Sequence, residues 1–259
     1  MREWNAGVYH RVSNPQLEWG LPVLERLPLG GGETVVDVGC GTGRLSEKLV
    51  ERLPRGRAIC IDQSGNMLQT AKEYLAPRFA SRVDFAQADA AALPFSAVAD
   101  AIFSTATFHW VLDHDRLFAS LFAALKPGGR LVAQCGGGDN LQRIHERCDR
   151  LMHDAAFAPH FSRWRHPWEF ADAATTARRL VRAGFADVVT RVHASPVLQP
   201  NAAAYREFVE HVICRPHLAY LPDASLRARF MERLTEQAAL DSPAFELDYW
   251  RLDLDGRKP

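Results

Sequence analysis

Val35-Val36-Asp37-Val38-Gly39-Cys40-Gly41-Thr42-Gly43-Arg44 is the stretch on which the fold turns. Its first four residues suit a buried strand, and three glycines in five positions end that strand in a loop. Leu45, Leu49 and Val50 then recur at helical spacing. A strand that ends in glycines at the mouth of a helix sets bare backbone N–H groups against a ligand. The expectation is that Gly39, Gly41 and Gly43 let that ligand approach the main chain more closely than any Cβ would permit. The spacing is G-x-G-x-G, and Arg44 stands where a dinucleotide fingerprint has its third glycine. That argues against a nicotinamide oxidoreductase.

Ala58-Ile59-Cys60-Ile61-Asp62 reads as a second apolar strand, closing on an acid nineteen positions after Gly43. An acid at this point is placed to accept hydrogen bonds from ribose hydroxyls. The other use for Asp62, capping the next helix, suits Ser64 better.

These two elements resemble, with the segments that follow them, the class I S-adenosylmethionine-dependent methyltransferases. Ala88-Asp89-Ala90 with Leu93-Pro94-Phe95, and Lys126-Pro127-Gly128-Gly129-Arg130-Leu131, come in that family's order and spacing over residues 35 to about 135. Trp4-Asn5, Tyr9 and Ser13 are similar to the leader of the trans-aconitate methyltransferase-like small-molecule group, which folds over the cofactor. The resemblance implies S-adenosylmethionine as cofactor and its demethylated form as product. It places Gly39, Cys40, Gly41 and Gly43 at the methionine portion and Asp62 on the ribose. Gln63 and Met67 would flank the adenine, Asp89 and Ala90 would bind its edge, and Tyr9 and Thr105 would complete the pocket.

The rest of the chain alternates strand and helix. Met67, Leu68, Ala71, Tyr74 and Leu75 form one helix face, and 82–87, 99–104 and 130–134 read as strands. That rhythm predicts a doubly wound parallel α/β sheet, and the resemblance implies seven strands with the last antiparallel. Leu17, Leu21, Leu24 and Leu27 predict a helix near the start, with Pro22 in it. Beyond Gln134, Leu141, Ile144, Cys148 and Leu151 fall at helical spacing, 175–183 is a helix closed by Gly184, and 188–193 a strand. Two helices are expected over 202–214 and 223–240, and a final strand over 245–254. With no long linker, the chain is expected to be one methyltransferase domain. Its arm and first helix span 1–30 and its cofactor core 31–136. Segments 139–167 and 199–242 are expected to be inserted as a helical lid.

Composition limits the partners. Lys+Arg and Asp+Glu both number 31, so no overall field favours nucleic acid or an anionic membrane. A small-molecule substrate is expected, with neither nucleic acid nor membrane as partner. The five cysteines include no C-x-x-C pair, the N-terminus has no signal-peptide pattern, and no run approaches the length of a membrane span. A cytoplasmic location is the expectation.

For chemistry, His109 just beyond the fourth strand is the histidine placed for the reaction centre, either as a base or as a neutral pocket residue. Trp110 beside it would line the acceptor site. Arg163, Arg165 and Arg215 lie among aromatics in the expected lid and suit carboxylate recognition. His211 and His217, across Arg215-Pro216, make a poor metal pair, and no metal is expected. The leading reading is methyl transfer to a carboxylate or hydroxyl oxygen. The alternatives are C-methylation of a quinone or polyketide-type ring and a non-catalytic S-adenosylmethionine-binding protein.

Overall fold

A computed structural model describes residues 14–79 and 81–259; Tyr9 and most of the N-terminal arm lie outside the described residues. The elements in chain order begin with α1 (Asn14–Arg26), β1 (Thr34–Val38), α2 (Arg44–Glu51), β2 (Arg57–Asp62), α3 (Gly65–Phe79) and β3 (Val83–Gln87). β4 (Ala99–Thr105), α4 (His114–Ala124), β5 (Leu125–Gly136), α5 (Gln142–Met152), α6 (Ala173–Arg182) and β6 (Ala186–Ala194) follow. The chain closes with β7 (Val197–Leu198), α7 (Ala202–Phe208), α8 (Arg215–Leu218), α9 (Ala224–Ala238), β8 (Glu246–Leu247) and β9 (Trp250–Arg257). Two compact units result: one takes in the chain to Gly138, Trp168–Val192 and Arg251–Pro259, the other Asp139–Pro167 and His193–Trp250.

The first unit is built on a seven-stranded sheet of order β3-β2-β1-β4-β5-β9-β6. β1 pairs in parallel with both β2 and β4, β2 with β3, and β4 with β5, while β9 runs antiparallel to β5. Alternate residues feed two cores, one on each face. Val36, Ile102 and Leu131 pack with α4 residues Phe118 and Leu121. Val35, Phe103 and Val132 pack with Leu24, Leu49 and Leu75 from α1, α2 and α3. Strand order reverses between β1 and β4, so their carboxyl ends diverge and leave the crevice in which such sheets bind ligands. Arg26 at the end of α1 fixes that helix beside it, donating to the Ala133 carbonyl and pairing with Asp253 and Asp255 of β9 at 2.7 and 2.9 Å.

Three boundaries differ from the sequence reading. The final strand is two pieces: β8 pairs with β7 in a separate small sheet, and β9 joins the main sheet at Trp250. Phe245, at φ +62°, breaks the continuous strand expected over 245–254. The helix expected over 202–214 changes gauge, with α7 giving way to a π-helical segment at Val209–Ile213. β5 begins at Leu125, earlier than expected, because the Lys126–Gly129 stretch is taken up as an irregularity in its pairing with β4. Among the described residues no helix is long and apolar enough to cross a membrane.

Candidate active site

The glycine loop is held from below by β2. The amides of Gly39 and Cys40 both donate to the Ile61 carbonyl, at 2.7 and 2.9 Å, and Gly43 N–H closes the turn onto the Cys40 carbonyl at 3.0 Å. Asp62 ties the loop from the side: its carboxylate accepts from Gly41 N–H at 2.9 Å and from Ser64 N–H at 2.8 Å. A carboxylate offers about four lone-pair sites, more than these two bonds occupy, which suits an acid that bonds to both loop and ligand. Ser64 caps α3, its hydroxyl accepting from Met67 N–H at 3.3 Å.

All three glycines have positive φ, but each for its own reason. A Cβ on Gly39 would lie 2.0 Å from Thr107 Oγ1, and one on Gly43 2.9 Å from Leu75 Cδ1. Packing within the chain therefore requires glycine at these two positions, whatever they also offer a ligand. At Gly41 (φ +55°) no atom of the described residues lies within 4 Å of the Cβ position, and there the main chain faces a cleft.

That cleft is open and lined by Gly39, Cys40, Gly41, Thr105 and Ala106, with Gln16 and Leu17 from α1. Asp37, Thr42, Arg44 and Leu45 also line it, and sequence reasoning gave none of these a role. Asp37 is buried, accepts from Ser46 Oγ at 2.6 Å, and has its carboxyl pushed up to about 7 by burial, with the Asp62 charge adding to the shift. Cys40 is buried beside Cys60, and that neighbour together with burial holds its thiol well above the ordinary range. It therefore faces the cleft uncharged.

Further along the same strand ends, Asp62 pairs with Gln87 across β2 and β3, Ala88 N–H donates to the Asp62 carbonyl, and Gln87 Nε2 reaches the Gln63 carbonyl at 3.0 Å. Gln63 and Asp89 are exposed, Ala90 is half-buried, and Met67 is buried at 4% exposure. Asp89 caps a short 3₁₀ turn, accepting from Ala91 N–H at 2.9 Å. A loop with one open glycine, an acid at its side and a row of strand ends beyond it fits an elongated nucleoside with a charged tail.

His109 sits in a 3₁₀ turn, Phe108–Trp110, beyond β4. Its Nδ1 accepts the Gly136 N–H at 3.2 Å, which puts the proton of the neutral ring on Nε2. The turn is locked by a closed ring of hydrogen bonds. Glu169 N–H donates to the His109 carbonyl at 2.8 Å, and Arg179 donates to Glu169 Oε1 at 3.1 Å. Arg179 also faces His114 Nδ1 at 3.2 Å, and His114 Nε2 meets the Phe108 carbonyl at 3.1 Å. A carbonyl only accepts, so His114 carries its proton on Nε2 and receives Arg179 on Nδ1. Burial, aided by the Arg179 charge, lowers the His114 pKa and keeps the ring neutral. Trp168 stands edge-on to Trp110 at 6.1 Å, and Phe170 lies 5.7 Å from the His109 ring, so the turn carries an aromatic wall. Sequence reasoning missed His114, Glu169 and Arg179, which come together only through the fold.

In the second unit Arg163 and Arg165 are exposed, and Arg215 is half-buried at the first position of α8. The Arg163 carbonyl accepts from Tyr220 Oη at 3.4 Å, and the Arg215 carbonyl from Ala219 N–H at 3.1 Å.

A family model described as a methyltransferase domain matches residues 35–129. The trans-aconitate 2-methyltransferase of Paracidovorax citrulli is 35% identical over 244 residues, covering 89% of this chain and 87% of the relative. That of Variovorax paradoxus is 32% identical over 252 residues, covering 92% and 91%. Among solved structures, a Haemonchus contortus phosphoethanolamine N-methyltransferase 2 in complex with S-adenosylhomocysteine superposes with a TM-score of 0.63. It is 18% identical and covers 98% of this chain and 57% of that one, a likeness of fold.

Proposed function

Because this chain belongs to the S-adenosylmethionine-dependent methyltransferases that include the trans-aconitate 2-methyltransferases, we propose that it methylates a carboxylate oxygen of a small polycarboxylic acid. When bound, S-adenosylmethionine supplies a methyl group activated by a sulfonium, whose departure leaves a neutral thioether. In this reading the open backbone at Gly41, with Gly39, Cys40 and Thr105, holds the methionine portion. Asp62 holds the ribose, Asp89 and Ala90 the adenine edge, and Gln63 and Met67 its faces.

The single observation that carries the choice of acceptor is the Gly136 N–H on His109 Nδ1. With that lone pair engaged, the neutral ring offers a donor from Nε2 and has no second lone pair with which to act as base. A carboxylate is ionised at neutral pH and needs no proton removed, whereas a hydroxyl or ring carbon does. His109 Nε2–H therefore orients an acceptor oxygen, and Trp110, Trp168 and Phe170 keep water from it. Ring C-methylation, which needs His109 as base, is disfavoured by the same bond. Arg215, with Arg163 and Arg165, is assigned to the acceptor's remaining carboxylates, where a guanidinium can pair in bidentate fashion.

The test is a panel of polycarboxylic and phenolic metabolites with labelled cofactor, followed by variants on the best acceptor. His109→Gln should leave turnover flat with pH near ~6.5, the ordinary imidazole pKa. Arg215→Ala should raise KM with little change in kcat, the mark of binding lost equally in ground and transition states. A rising pH profile that vanishes in His109→Gln would replace the carboxylate reading with a base-catalysed one.

A further inference from the structure

The second unit holds a cluster that methyl transfer does not use. Cys148 Sγ, Cys214 Sγ and a ring nitrogen of His217 all lie within 4.8 Å of one another, and all three residues are buried. The two sulfurs are 3.6 Å apart.

The chain goes to some length to assemble it. Cys148 projects from the buried face of α5, in line with Ile144 and Leu151. Cys214 ends the π-helical segment, its N–H reaching back five residues to the Val209 carbonyl at 2.7 Å. That wider turn adds a residue and resets the phase of the helix that follows, a distortion often found at functional sites. α8 then restarts on the Cys214 carbonyl, which accepts from Leu218 N–H at 2.9 Å. Cys214 and His217, three apart on this turn, present their side chains to one side. The C-x-x-H of 214–217 is answered on α5 by the H-x-x-C of 145–148.

We propose that Cys148, Cys214 and His217 form a three-ligand protein site for a borderline-soft divalent cation of the zinc class. Sulfurs bound at ~2.3 Å around a tetrahedral zinc stand about 3.75 Å apart, close to the spacing found here. A disulfide needs them at about 2.05 Å. Charge balance agrees: two thiolates, one neutral imidazole and a dication sum to zero, which apolar surroundings can accommodate. Those surroundings are aromatic, with Trp164 stacked on His217 at 4.4 Å and Phe230 beyond it at 6.2 Å. The metal ligand is the thiolate, so as each metal–sulfur bond forms that thiol's proton passes to solvent, two protons per ion. The pairing of His217 with His211 considered from sequence is thus replaced by partners on two helices. Such an ion would clamp α5 to the turn that carries Arg215.

The experiment uses the full chain, purified reduced and free of chelator. Zinc is titrated against a chromophoric competitor, and cobalt(II) is added as a spectroscopic probe. The expected result is one ion per chain, two protons released, thiolate-to-cobalt charge-transfer bands and a melting temperature that rises with zinc. Cys148→Ala and Cys214→Ala, which remove little volume, should each weaken binding by at least ~100-fold and abolish the zinc-dependent rise. Absence of tight zinc binding in the reduced chain, or unchanged affinity in both variants, would overturn the site. So would recovery of a Cys148–Cys214 disulfide from a chain that binds no zinc when reduced. None of these readouts depends on the methyl acceptor.

Discussion

Alanine at Gly39 and at Gly41 should produce opposite phenotypes, although the two glycines are two residues apart in one loop. At Gly41 (φ +55°) the new methyl meets no atom of the described residues, so the folded chain bears the left-handed backbone cost, about 1–2 kcal/mol. With ~2–4 °C per kcal/mol for a chain of this size, the melting temperature falls by about 2–8 °C. The methyl nevertheless enters the cleft, and S-adenosylmethionine should bind at least ~10-fold more weakly, a loss of ~1.4 kcal/mol. At Gly39 (φ +77°) the Cβ would stand 2.0, 2.4 and 2.6 Å from Oγ1, Cγ2 and Cβ of Thr107. No rotation of Thr107 moves its own Cβ, so the backbone must shift. Overpacking of about 1–3 kcal/mol adds to the conformational cost, for about 2–5 kcal/mol in all. Thr107→Gly should recover at least about 1 kcal/mol of that loss in the double variant, since the two residues touch. Thermal melts of the cofactor-free chain and calorimetric titration with S-adenosylhomocysteine read both quantities. Wild-type affinity in Gly41→Ala, or a wild-type melt in Gly39→Ala, would refute the division of the loop into a ligand glycine and packing glycines.

Asp62→Ala should lose most of the cofactor affinity, about 1.5–3 kcal/mol for each hydrogen bond to the charged group, as measured by the same titration. Asp37 gives a pH signature. Its carboxyl moves from 3.8 to about 7 on folding, so the folded chain holds a proton there that the unfolded chain has released. Stability contributed by this group is therefore full below about 4 and falls as pH rises towards about 7, by up to ~1.4 kcal/mol per unit. Melts of Asp37→Asn and wild type between pH 5 and 8 should diverge in the variant's favour as pH rises; parallel curves would contradict the raised pKa. His114→Ala should destabilise by about 2–4 kcal/mol, because it opens a cavity and leaves the Phe108 carbonyl and Arg179 without their shared partner. Denaturant titration checks this, and a loss under ~0.5 kcal/mol, the range of ordinary surface substitutions, would mean the ring of hydrogen bonds is not what holds the turn.

The parts of this molecule that could be read in sequence are the local ones. Val35 to Arg44 encodes strand, turn and helix start within ten residues, and Asp62 follows at the end of the paired strand. The alternation of apolar strand runs with helical patterns was likewise enough for the parallel sheet, since strands buried on both faces are apolar throughout. Contacts between distant residues left no such trace. Gly39 is a packing glycine because of Thr107, 68 positions away, and the tautomer of His109 depends on the Gly136 amide, 27 positions away. The Glu169–Arg179–His114 chain joins two separate segments, His114 lying 65 positions from Arg179. The change of gauge at Val209–Ile213 was invisible because a π-helical turn uses the same residue types as an α-helical one. Phe245 resembled a strand residue by hydrophobicity, yet its backbone turns the chain there.

The central claim, methyl transfer to a carboxylate oxygen, is tested most directly by the chemistry of the product. With S-adenosylmethionine labelled in its methyl group and the best acceptor from the panel, the labelled product is isolated and treated with mild alkali. A methyl ester is saponified, so the account predicts that the label leaves as volatile methanol and the original acid is recovered. A label that withstands alkali, as an aryl ether or a carbon-bound methyl would, contradicts the account.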